Sequence, residues 1–80
     1  MAAAAKILDR MRNNPAGWRI EDLKTVADRF NIEYRQLGTS HVTFRHPSGA
    51  KLTVPARRPI KPVYVKKFLG LIDEVAHEKD

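Results

Sequence analysis

Two short alternating segments, separated by a turn, constrain the fold of this chain most strongly. Apolar and polar residues alternate in residues 41–45 and again in residues 51–54. Side chains of a β-strand point alternately to opposite faces, so each segment predicts a strand with one apolar face. Between them, residues 46–49 suit a reverse turn, with Pro47 at its second position and Gly49 at its fourth. The sequence therefore predicts a β-hairpin, and its polar face carries His41, Thr43, Arg45, Lys51 and Thr53.

Helical periodicity predicts three helices around this hairpin. Apolar residues recur every three or four positions in residues 2–12, 19–30 and 62–76. Pro62 suits the first turn of the last helix, and alternation in residues 32–37 predicts a first strand. The order α-α-β-β-β-α predicts an α+β fold, in which helices pack on one face of a three-stranded antiparallel sheet and the other face meets water.

The apolar stripes also predict which side chains are buried. In the second helix we expect Ile20, Leu23, Val26, Ala27 and Phe30, and in the third Val65, Phe68, Leu69, Ile72 and Ala76. Trp18 is expected to anchor the junction of the first two helices. Gly70 lies within the third helix, where glycine costs roughly 1 kcal/mol relative to alanine, so we expect close packing there.

Charge is distributed unevenly along the chain. The net charge is +6, and no aspartate or glutamate occurs between Tyr34 and Ile72. That stretch holds Arg35, Arg45, Lys51, Arg57, Arg58, Lys61, Lys66 and Lys67. A segment of one charge sign predicts a polyanion or an acidic protein as partner, whereas a solvated surface is the alternative. Proline restricts residues 55–62, so the cations of this loop are expected on a semi-rigid arm.

Several kinds of site are not expected from the composition. There is no cysteine, no glycine-rich phosphate loop and no histidine pair at helical metal-ligand spacing, so we expect neither metal nor cofactor. A cytoplasmic location is expected, because neither a signal-like start nor a membrane-length apolar run occurs. His46 and His77 are interpreted as surface residues. His41 is expected beside Arg45 and Lys51, where an imidazole could transfer a proton near a docked phosphodiester.

The central stretch resembles a known family. Ser40-His41-Val42-Thr43-Phe44, the turn at residues 45–49, Leu52-Thr53-Val54-Pro55 and the basic final helix resemble the HicA toxins, small RNA-cleaving toxins of bacterial and archaeal toxin–antitoxin systems. The resemblance covers roughly residues 20–72. We therefore treat residues 1–80 as one domain, with an N-terminal helical extension at 1–14 and a HicA-like core at 19–76.

The resemblance implies a fold similar to the double-stranded-RNA-binding domain, a catalytic His41, and ribosome-independent cleavage of mRNA. It also implies a HicB-like antitoxin that covers His41. On this interpretation Arg45 and Lys51 offset charge at the scissile phosphate, no metal takes part, and the products are a 2′,3′-cyclic phosphate and a 5′-hydroxyl. The residues expected to bind flanking RNA are Arg35, Thr43, Arg57, Arg58 and Lys61.

Two alternatives stay open at this point. A non-catalytic RNA-binding module could use the same basic sheet face, since fold does not fix function. An interaction protein could dock the same face on an acidic partner.

Overall fold

The fold is built from three helices and one three-stranded sheet. The computed structural model describes residues 2–36, 40–56 and 59–78. Its elements are α1 (Ala2–Asn13), α2 (Ile20–Arg29), β1 (Glu33–Arg35), β2 (His41–Arg45), β3 (Lys51–Pro55) and α3 (Pro62–Glu78). The predicted order and the α+β class are confirmed. β1 begins one residue later than predicted and ends at Arg35, whereas Leu37, the last residue predicted for this strand, lies outside the described residues. α3 runs two residues past its predicted end.

The sheet is an antiparallel meander with β2 in the centre. The strand order is β1-β2-β3, with Phe44 opposite Tyr34 on β1 and opposite Leu52 on β3. At the β2–β3 turn, the Gly49 amide donates to the His46 carbonyl at 2.9 Å. Gly49 has a φ of 102°, a conformation that glycine adopts without steric cost. The predicted turn is confirmed. Gly38 and Thr39, between β1 and β2 in the sequence, lie outside the described residues.

One face of the sheet forms the core with the helices. Val42, Phe44 and Val54 are completely buried, and the Phe44 ring packs edge-on against Phe68 of α3 at 5.2 Å between centroids. Ile60, which the sequence places in a loop, is also buried. Its amide donates to the Trp18 carbonyl at 2.8 Å, so the segment before α3 is tied to the segment before α2.

The buried face of α3 differs in part from the prediction. Leu71 and Val75 are buried, whereas Leu69 is only half-buried and Ala76 is exposed. The helix is therefore rotated slightly relative to the stripe chosen from the sequence. The expected close packing at Gly70 is wrong, because a Cβ there would meet no atom within 4 Å.

The residues that directly follow α2 form the cap that ends the helix. Phe30 is half-buried rather than buried because it lies at the C-cap of the helix. Asn31 follows with a φ of 60°, and the Ile32 amide donates to the Ala27 carbonyl at 2.9 Å. This is the Schellman arrangement, in which the residue after the cap adopts the left-handed conformation. It turns the chain directly into β1.

Helix α1 packs on both other helices. Met11 is completely buried within the core. The guanidinium of Arg12 forms an ion pair with Asp73 of α3, and the hydrogen bond from Arg12 to this carboxylate raises the arginine pKa. The pair is exposed, so its contribution to stability is small. Met11 makes α1 a part of the core. None of the helices in the described residues is both long and apolar enough to cross a membrane.

We expect Met11→Ala to lower the free energy of unfolding by about 2–5 kcal/mol, the usual cost of truncating a buried methionine. The control is Arg10→Ala on the exposed side of the same helix, which is expected to stay within about 0.5 kcal/mol of the native chain. Urea titrations followed by Trp18 fluorescence measure both. Equal stability of the two variants would show that α1 is a dispensable extension.

Candidate functional site

The water-facing side of the sheet carries three rows of side chains. The members of each row follow from the strand pairing, because residues directly opposite one another on paired strands point to the same face of the sheet. The first row is Glu33, Arg45 and Lys51, the second is Arg35, Thr43 and Thr53, and the third contains His41 and Pro55. We call these residues the polar face. In its middle row, the hydroxyl oxygens of Thr43 and Thr53 lie 3.2 Å apart.

His41 lies at the end of the polar face where β2 begins. Its side chain is exposed, and its backbone is opposite Pro55. One residue earlier, the Ser40 carbonyl accepts a hydrogen bond from the Ala56 amide, so the pairing of β2 and β3 continues just beyond His41. The imidazole is therefore carried by regular sheet and not by a loose loop.

The cations stand at different distances from His41. Arg45 and Lys51 are opposite each other in the first row, four residues along β2 from His41, which is about 13 Å. Their backbone positions are therefore well separated from that of His41, although the side chains of all three line one depression. Arg35 is opposite Thr43 in the middle row, which makes it a diagonal neighbour of His41. Among the cations of the polar face, Arg35 has the backbone position nearest to that of His41.

Glu33 was not singled out by the sequence analysis. It lies one residue outside the acid-free stretch, but the register places it opposite Arg45. The polar face thus contains a carboxylate at its far end from His41. Alternation with Ile32 and Tyr34 could have revealed this position. Within the described part of the chain, no three histidine or acidic side chains form a group that could hold a metal ion.

Two depressions meet at His41. The larger, about 420 Å³, lies over the polar face and is lined by Glu33, Tyr34, Arg35, His41, Thr43, Arg45 and Lys51. The smaller, about 180 Å³, is lined by Ser40, His41, Pro55, Lys61 and Tyr64. The predicted residues Arg35, Thr43, Arg45, Lys51 and Lys61 are thus all brought to surfaces that contain His41. Arg57 and Arg58, also predicted to bind RNA, lie outside the described residues.

Tyr64 is the second residue that sequence reasoning missed. It lies in the first turn of α3, half-buried, and lines the smaller depression with Lys61. The Nζ atom of Lys67 lies 5.8 Å from the centroid of its ring, within cation–π distance. The sequence analysis assigned α3 a core stripe only. Its first turn also faces the site because the chain returns to the sheet edge there.

Tyr34 has a structural role at the rim of the larger depression. Its hydroxyl donates to the Asp28 carboxylate at 3.3 Å, and its ring lies 6.0 Å from that of Phe44. The hydrogen bond to Asp28 raises the pKa of Tyr34 above its ordinary value, with burial and the negative charge acting in the same direction. The residue holds β1 against α2.

His46 is held within the β2–β3 turn. The Ser48 amide donates to its Nδ1 atom at 3.1 Å, and the Ser48 hydroxyl lies 2.9 Å from the same atom. The bond from the Ser48 amide uses Nδ1 as its acceptor, which ties the imidazole to the backbone of the turn. His46, predicted to be a surface residue within the turn, lies in the turn with its side chain half-buried. It does not line either depression at His41.

Comparisons with protein-family models, with curated proteins and with solved structures give no match. The resemblance to HicA toxins therefore stays a prediction, and the function has to be argued from the site.

Removal of the Glu33 charge is expected to strengthen binding of a polyanion. Glu33→Gln should bind a fluorescent polyuridine oligonucleotide roughly two- to fivefold more tightly, because an exposed charge pair contributes about 0.2–1 kcal/mol. Fluorescence anisotropy at low salt measures the affinity. Glu74→Gln, an exposed position on α3, makes the same charge change and should have less effect. An equal gain in both variants would place polyanion binding elsewhere than on the polar face.

Proposed function

We propose that the chain is a metal-independent RNA endonuclease in which His41 transfers a proton at the scissile phosphate. The observation that carries this proposal is the position of His41, exposed at the end of a sheet face and shared by two depressions that contain Arg35, Arg45, Lys51 and Lys61. An imidazole can give or take a proton near neutral pH, and nearby cations stabilise a phosphate as its charge develops.

The reaction follows from the chemistry of RNA. The 2′-hydroxyl attacks the adjacent phosphorus, the bond from phosphorus to the 5′-oxygen breaks, and a 2′,3′-cyclic phosphate and a 5′-hydroxyl result. His41 either takes the proton of the 2′-hydroxyl or gives one to the leaving 5′-oxygen. The other proton is exchanged with water or a lysine, and Lys61 is a lysine that shares the smaller depression with His41.

The strand register gives the cations of the polar face different distances from His41, and we assign them different roles accordingly. Arg35 is the diagonal neighbour of His41, and we assign it to the scissile phosphate. Arg45 and Lys51 lie two rows away on the polar face, in the row that contains Glu33. We assign them to an adjoining phosphate, with Thr43 between the two groups. This changes the roles predicted from the sequence, where Arg45 and Lys51 were placed at the reacting group.

The biological role proposed here follows the resemblance. A HicA-like toxin would cleave mRNA in the cytoplasm and would be inhibited by a HicB-like antitoxin. Such a partner would cover His41, and acidic side chains would suit the cations of the polar face.

His41→Ala is expected to abolish cleavage of a single-stranded RNA oligonucleotide in EDTA while leaving the fold intact, because the side chain is exposed. The matched control is His46→Ala, which removes an imidazole that lines neither depression at His41 and should retain cleavage. Gel analysis of the products measures both rates, and circular dichroism confirms folding.

The same assay uses an oligonucleotide with 2′-deoxyribose at the cleaved position. It should bind and stay intact, because the nucleophile is missing. Cleavage of that substrate, or native activity that disappears in EDTA and returns with Mg²⁺, contradicts the mechanism. Binding without any cleavage by the native chain would favour the non-catalytic RNA-binding module.

Single-turnover rates at saturating RNA separate Arg35 from Arg45. Arg35→Ala should slow the bound reaction by about 100-fold, the usual effect of losing a group that stabilises transition-state charge. Arg45→Ala should instead weaken binding and lower the slope of its salt dependence by about 1. Arg29→Ala, exposed at the end of α2, controls for the loss of one positive charge. If Arg45→Ala slowed the bound reaction as much as Arg35→Ala, Arg45 would also have to be assigned to the scissile phosphate.

A further inference from the structure

The smaller depression beside His41 differs chemically from the polar face. Its lining includes the aromatic ring of Tyr64 and the apolar ring of Pro55, together with the cation of Lys61 and the hydroxyl of Ser40. The rows of the polar face consist mainly of charged residues and threonines. An aromatic ring, a proline ring and a cation in one small hollow can hold a planar, weakly polar group that is attached to a negative charge.

The aromatic ring is held by a regular helix. The Tyr64 amide donates to the Lys61 carbonyl at 2.9 Å at the start of α3, and the ring is half-buried. Lys67, three residues later, places its ammonium 5.8 Å from the ring centroid. The backbone that carries the ring is thus ordered before any ligand arrives, which reduces the ordering cost of binding.

A nucleobase has the chemistry that this hollow accepts. Proteins bind unpaired RNA by stacking its bases on aromatic side chains while cations contact the phosphates. A base within a duplex is already paired and stacked on both sides, so it cannot enter. His41 lines both depressions, so a strand that crosses the polar face can pass over His41 and place its next base in the hollow.

We propose that this hollow, formed by Tyr64, Pro55, Ser40 and Lys61 beside His41, is a binding subsite for one unpaired nucleobase. The substrate is then single-stranded where it is cleaved. This inference rests on the proposed endonuclease for the position of the scissile phosphate, but the binding of the base does not depend on cleavage.

The test uses a probe that the proposed chemistry cannot cut. A short 2′-O-methyl oligonucleotide with one 2-aminopurine lacks the nucleophile, and its fluorescence is quenched when the base stacks. It is titrated with the native chain as a single strand and as a duplex. We expect quenching with the single strand only. Tyr64→Phe should retain both affinity and quenching, whereas Tyr64→Leu should lose the quenching and bind about 5- to 150-fold more weakly.

Three further variants control for misfolding and for general charge effects. Tyr64→Met replaces Tyr64→Leu if circular dichroism shows that the leucine variant does not fold. Lys61→Ala should lower the slope of the salt dependence by about 1. Lys66→Ala, exposed on α3 and outside the hollow, should lower it less.

The outcomes distinguish the subsite from the endonuclease. Equal binding and quenching by native and Tyr64→Leu chains, or equal quenching of the duplex, would overturn the subsite even if the native chain cleaves RNA. Dependence on an aromatic residue at position 64 supports the subsite even if the native chain proves unable to cleave RNA.

Discussion

The burial of alternate side chains of β2 is the constraint on which the rest of the structure depends. Val42 and Phe44 are completely buried, so the residues between and beside them must face water. Because the strand period is two, a slip of one residue would bury His41 and Arg45 and expose Phe44. The packing of Phe44 against Phe68 therefore determines, through the backbone, where the imidazole and the guanidinium stand.

This packing also holds together charges that repel each other. Arg45 and Lys51 are directly opposite, an arrangement that costs a few tenths of a kcal/mol to about 1 kcal/mol. Burial of a single phenylalanine side chain contributes about 1.5–3 kcal/mol, which is more than this cost. Glu33 opposite Arg45 offsets part of the repulsion. Burial of the hydrophobic face thus outweighs the repulsion between the cations on the other face.

The small size of the domain explains why its candidate site is open. A chain of 80 residues uses most of its apolar side chains for one modest core, so few are left to enclose a large cavity. The depressions at His41 are therefore open surfaces and not enclosed cavities. The polar face and the hollow at Tyr64 meet at His41, and the proposed reaction on RNA is placed at this shared side chain.

The sequence by itself determined the elements and the two faces of the hairpin. Alternation, helical periodicity and the Pro47–Gly49 turn are local signals, and each depends on residues a few positions apart. They were enough for the order α-α-β-β-β-α and for the outward direction of His41 and Arg45. These signals were less accurate for α3. Two apolar stripes on this helix, one with Val75 and one with Ala76, have similar helical periodicity, and packing against the sheet determines which of the two is buried.

Tertiary structure alone decided which side chains share a surface. Cross-strand register placed Arg35 nearer to His41 than Arg45 and brought Glu33 onto the polar face, although one-dimensional spacing suggested otherwise. The return of the chain at Ile60, buried and hydrogen-bonded to Trp18, brought Tyr64 to the hollow at His41. Such neighbours depend on how separate elements pack, and local periodicity contains no information about the distance between residues on different elements.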